Sequence, residues 1–66
     1  MKATSRLKYP DELVIGDLVA IDGYMVTLDE IKHFPEMNCT QVFFIGQDVL
    51  RNSYSFNDNY PVKVYY

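Results

Sequence analysis

The sequence has a single cysteine, Cys39, a single histidine, His33, and no tryptophan, with only three glycines and three prolines in 66 residues. One thiol leaves no internal disulfide, and one Cys with one His does not close a Cys/His zinc site. Three scattered glycines make no phosphate-cradling loop. The aspartates Asp17, Asp22, Asp29 and Asp58 lack the alternating spacing of a calcium loop. No cofactor or metal is therefore expected. No apolar run is longer than Val42 to Ile45, which is far too short to span a bilayer. No apolar segment follows the early cations either, so neither a signal peptide nor a membrane contact is expected. The lone thiol suits a reducing compartment, and the expected location is cytoplasmic.

What remains is a small chain with much aromatic surface. A domain of this length buries only about 60% of the surface its unfolded chain exposes. Without disulfides or metal it must be reinforced by packing or by oligomerisation. Six Tyr and four Phe, within an apolar fraction of 48%, are ample for a small core and argue against disorder. The net charge is −3 but unevenly spread. The first ten residues hold Lys2, Arg6 and Lys8 and no acid, whereas the rest sets Lys32, Arg51 and Lys63 against all nine acids. Residues 1–12 read as a flexible basic lead-in, and residues 13–66 as one small domain.

Turn signals recur at Gly16-Asp17, Asp22-Gly23, Phe34–Asn38, Gly46-Gln47-Asp48 and Asn57–Pro61. With β-branched and aromatic residues between them, this spacing predicts an all-β antiparallel meander. Val19 and Ile21 share one face of the first strand. Asp22-Gly23 suits the positive φ values of a type I′ hairpin turn. Tyr24, Val26 and Leu28 share a face of the next strand, and the shift of phase to Ile31 predicts a β-bulge near Asp29-Glu30. Thr40, Val42 and Phe44 alternate along a predicted central strand, Leu50, Tyr54 and Phe56 along Val49–Phe56, and Val62, Val64 and Tyr66 along the last. Residues 28–34 admit a second reading. Thr27 to Glu30 matches a capping box, Lys32 and His33 suit a helix C-terminus, and Pro35 would end a two-turn helix.

Five short strands opened by Val14-Ile15-Gly16-Asp17-Leu18-Val19 and then Asp22-Gly23 resemble the SH3-like small barrels. In that group a Gly-Asp pair often precedes the first long strand, with apolar residues at the positions of Val19 and Ile21. The resemblance implies a five-stranded barrel, or a curved antiparallel sheet, that binds proteins or nucleic acid without catalysis. In size and style the chain is also similar to short accessory proteins of bacteriophages, which would place it in a host cytoplasm as a modulator or inhibitor of a host protein.

The residues offer little chemistry. Neighbours in a strand point to opposite faces, so neither Asp11-Glu12 nor Asp29-Glu30 converges on one bond as acid–base work requires. A His33–Cys39 pair could form only if the strands flanking Phe34–Asn38 pair, and it would still lack an oxyanion site and a cleft. No enzyme activity is expected, and Cys39 reads as a small core residue. Tyr24 and Tyr54 are expected in the core. Tyr9, Tyr60 and Tyr65 fall near turns or on outward faces and are the candidate protein-binding residues. The alternative is nucleic-acid binding through Lys2, Arg6 and Lys8, which the acidic body opposes. A third reading is self-association along Val62–Tyr66, expected at a sheet edge.

Overall fold

The computed structural model describes residues 4–46 and 50–66. Among them, seven strands form two antiparallel sheets, and two short 3-10 turns, Pro10–Glu12 and Pro35–Met37, replace any longer helix. The strands are β1 (Ser5–Lys8), β2 (Leu18–Ile21), β3 (Tyr24–Thr27), β4 (Glu30–Phe34), β5 (Cys39–Ile45), β6 (Arg51–Asn57) and β7 (Val62–Tyr65). One sheet has the order β1-β7-β2-β3 and the other β4-β5-β6. No described helix is long and apolar enough to cross a membrane.

The all-β expectation holds, but the sheets do not close into a barrel and the strands number seven rather than five. Their inner faces supply one core. Val19, Ile21, Val26 and Val64 come from the four-stranded sheet, Val42 and Phe44 from the other, and Leu13 and Leu28 from the connections. Val19, Val42 and Val64 are fully buried, each such side chain contributing about 1.5–3 kcal/mol of hydrophobic stabilisation. The alternation read from the sequence places Val19 and Ile21, and Thr40, Val42 and Phe44, on buried faces as expected.

Leu28 and Asp29 join the sheets. The Leu28 N–H donates to the Asp17 carbonyl (3.0 Å) in one sheet, and the Asp29 N–H donates to the Phe43 carbonyl (2.8 Å) in the other. Phe43 lies opposite Glu30 in the register, so Asp29 and Glu30 share one partner. That is the signature of the expected β-bulge, and it turns the chain from one sheet into the next. The helical reading of residues 28–34 is overturned. A two-turn helix would fill its own hydrogen bonds, whereas β4 pairs with β5 over its whole length, from Glu30–Phe43 to Phe34–Cys39. At the first hairpin Asp22 (φ 52°) and Gly23 (φ 83°) both take positive φ, as a type I′ turn requires.

Two further expectations are corrected. Residues 5–8, part of the expected flexible lead-in, form β1 and pair with β7 from Ser5–Tyr65 to Lys8–Val62. That pairing puts the last strand inside the sheet, between β1 and β2. Val62–Tyr65 is thus no outer edge of the sheet: β1 pairs along its whole length and β2 with Val64 and Tyr65. The outer edges belong to β1, β3, β4 and β6.

Candidate functional site

The outer face of the four-stranded sheet follows from alternation and register. Ser5, Leu7, Lys63, Tyr65, Leu18, Ala20, Met25 and Thr27 share it, because each stands opposite another in the pairings of β1, β7, β2 and β3. Ser5, Tyr65, Leu18 and Thr27 run as one row, and the row beside it holds the facing pairs Leu7–Lys63 and Ala20–Met25. Leu7 is 63% exposed and Met25 45%, while Leu18 and Tyr65 are half-buried. Lys63 is the only charge in these two rows. Tyr9 follows β1 with extended backbone (φ −74°, ψ 152°) and continues the alternation of Ser5 and Leu7. Tyr60 lies in the turn before β7, largely exposed. Of the three candidate tyrosines, Tyr65 belongs to this face, while Tyr9 follows β1 and Tyr60 lies in the turn before β7, both exposed. The apolar residues of this face, Leu7, Leu18, Ala20 and Met25, were missed by the sequence reading. Outward alternation in four strands that are not consecutive in sequence is the signal that would have found them.

Of the basic residues singled out in the N-terminus, Lys8 is held by the fold. The Lys8 Nζ donates to Asp17 Oδ2 at 3.1 Å, both side chains being nearly buried. The same oxygen accepts the Val14 N–H at 3.0 Å. The Asp of the Gly-Asp motif thus fastens the turn before β2 and the end of β1 together. The Arg6 guanidinium lies 5.9 Å from the centre of the Tyr66 ring. Lys2 lies outside the described residues.

Tyr24 and Tyr54 are not core residues, contrary to expectation, being 55% and 41% exposed. Both stand on core-facing positions, but at β3 and β6 each sheet has an edge and neither covers the other. Between them opens a cleft of about 360 Å³ floored by Ile21, Val26 and Phe44 and flanked by the two tyrosines, with Asp22 and Asn52 at its mouth.

His33 and Cys39 do not meet. Their strands do pair, but His33 lies opposite Thr40 and Cys39 opposite Phe34, which puts them on opposite faces of the sheet. Cys39 is half-buried on the outer face rather than in the core. Thr40 is fully buried, and its hydroxyl donates to Asp58 Oδ1 at 2.8 Å. His33 Nδ1 lies 3.2 Å from the same hydroxyl. The one hydroxyl proton is committed to Asp58, so Nδ1 carries a proton and donates to Thr40. The chain of bonds anchors the β6–β7 turn to β5 and exposes no nucleophile. No cluster of three or more His, Cys, Asp or Glu suited to a metal ion exists among the described residues.

Comparison with known proteins returns no match: no family model fits the chain, and no curated protein or solved structure matches it. The resemblance to SH3-like barrels thus has neither a family match nor a closed barrel behind it. What the structure defines is a small all-β protein of two sheets, and its function has to be read from its own surfaces.

Proposed function

We propose that this protein is a small non-catalytic module that binds another protein through the outer face of its four-stranded sheet. The carrying observation is the exposed apolar face of Leu7, Leu18, Ala20, Met25 and Tyr65, broken by the single charge of Lys63. The cores of protein interfaces are depleted of charge and enriched in Tyr and Met, and contiguous exposed apolar patches on small proteins mark such contacts. Tyr9 and Tyr60, exposed just outside β1 and β7, are the candidates to extend that contact. The nucleic-acid alternative loses support because Lys8 is held by Asp17 inside the fold. Nucleic-acid affinity draws mainly on cations free to neutralise phosphates.

The test is affinity capture with the wild-type chain and with a Leu7→Lys, Met25→Lys double variant, each with and without nuclease. Both substitutions are on exposed positions, and the fold of the variant is checked by circular dichroism. A protein retained by wild type with and without nuclease, and lost by the variant, is the expected result. An identical bound set for both chains would sink the proposal, and binding lost on nuclease treatment would favour the nucleic-acid reading instead.

A further inference from the structure

The hydrogen-bond phase of β6 can be worked out residue by residue. The Gly46 N–H donates to the Leu50 carbonyl at 2.8 Å, and the Asp58 N–H to the Asn38 carbonyl at 2.8 Å. Both contacts continue the β5–β6 register, in which Ile45 faces Arg51 and Cys39 faces Asn57. Hydrogen-bonded and non-hydrogen-bonded pairs alternate along an antiparallel ladder. Asn52, Tyr54 and Phe56 therefore turn their backbone groups toward β5, and Arg51, Ser53 and Ser55 turn theirs to the open edge.

Open edges invite a further strand unless they are short, charged, bulged or stopped by proline. Three of the four edges carry such guards. β1 has four residues, two of them Arg6 and Lys8, so a second β1 would set like charges together. β3 has four residues and lies between the acids Asp22 and Asp29. β4 begins at the Asp29-Glu30 bulge and ends at Pro35. β6 differs from all three. It runs seven residues without proline, glycine or bulge, and its one charge is Arg51 at the first position.

We propose that a second copy of this chain pairs antiparallel with β6, with the two-fold axis at Tyr54, so that the two three-stranded sheets become one. In that pairing Ser53 of each copy exchanges both backbone hydrogen bonds with Ser55 of the other. The direction sets no like charges side by side, because Arg51 of each copy falls opposite Asn57 of its mate. Tyr54 falls at the axis as a non-hydrogen-bonded pair, where side chains approach most closely. Its ring packs on Phe56 at 4.9 Å between centroids yet remains 41% exposed in the single chain. A second Tyr54 covers that exposed surface at the lip of the cleft.

Light scattering over a concentration series tests the proposal, together with the variants Ser53→Pro and Ser55→Lys. Proline at position 53 removes an outward N–H and leaves the bonds to β5 intact, and lysine at position 55 places a charge on the edge. The wild type should reach twice the chain mass of 7.7 kDa. Ser53→Pro should weaken dimerisation about thirty-fold or more, the scale of two lost backbone hydrogen bonds, and Ser55→Lys should weaken it as well, each with its far-UV spectrum unchanged. A wild type that stays monomeric up to about 1 mM overturns the proposal, as does a dimer that both variants leave intact. A dimer broken by Met25→Lys and untouched by Ser55→Lys would overturn it as well, and would move the contact to the four-stranded sheet.

Discussion

The two sheets distribute their charges in opposite ways. The four-stranded sheet turns its ion pair inward, where Lys8 and Asp17 meet with about a tenth of each side chain exposed, and leaves its outer face nearly uncharged. The three-stranded sheet places its ion pairs on the outside. There Arg51 reaches Asp29 at 2.9 Å and Glu30 at 2.6 Å, and Lys32 reaches Glu30 at 3.9 Å. Lys32 and Arg51 also lie 5.5 and 5.3 Å from the centre of the Phe43 ring, covering the half-buried aromatic at the middle of that face. Long cationic side chains shield apolar surface with their stems while their heads remain in water. The three-stranded sheet therefore interleaves its exposed Phe34 and Ile45 with charged side chains, whereas the four-stranded sheet sets its exposed apolar residues beside a single charge. That contrast is the physical ground for reading the second as the contact surface.

The comparison breaks most visibly at the inward pair. Asp17→Ala strands the Lys8 ammonium in a nearly buried position and frees the Val14 N–H. Removing one partner of a buried pair costs about 3–5 kcal/mol. For a chain this small, that approaches the whole stability of the fold. Urea titration should show most of the variant unfolded at 25 °C, or its midpoint moved close to zero denaturant. A loss below about 1 kcal/mol would mean that Lys8 and Asp17 are solvated like a surface pair.

A middle effect is expected at the buried polar contact of the three-stranded sheet. Thr40→Val keeps the shape but leaves Asp58 and His33 without the hydroxyl that joins them. The cost should be about 1–3 kcal/mol by the same titration. Neutrality would show that water replaces the hydroxyl at both partners.

Much of this layout could be read from the sequence, and the failures have common causes. Alternation located Val19, Ile21, Val42 and Phe44 on buried faces, and the slip between Leu28 and Ile31 located the bulge. It assigned Tyr24 and Tyr54 to the correct face of their strands but not to the correct exposure, because burial also depends on whether the facing sheet extends that far. β1 was invisible because Arg6 and Lys8 occupy its inward positions, and the acid that justifies Lys8 is nine residues away at Asp17. The place of the last strand in the chain suggests an edge, whereas edges are set by pairing, and the first strand closes over it. The capping pattern of Thr27 to Glu30 is a real local signal, overridden by a ladder along all of β4. The apolar outer face required knowing that β1, β7, β2 and β3 lie side by side, which is long-range information.

The smallest effects sharpen the contrast furthest, because they separate stability from binding. Arg51→Gln removes both contacts to Asp29 and Glu30, but the guanidinium is half exposed and its pairs are screened by water and salt. Exposed ion pairs contribute about 0–1 kcal/mol, so the unfolding midpoint should move little, and less still at high salt. Met25→Lys on the other sheet should likewise stay within about 0.5 kcal/mol, as surface substitutions usually do. The two variants then match in stability and differ in function. If the four-stranded sheet is the contact surface, Met25→Lys loses the captured partner and Arg51→Gln keeps it. The reverse pattern in the same capture assay would assign the contact to the charged face, and the exposed apolar residues would then be ordinary surface.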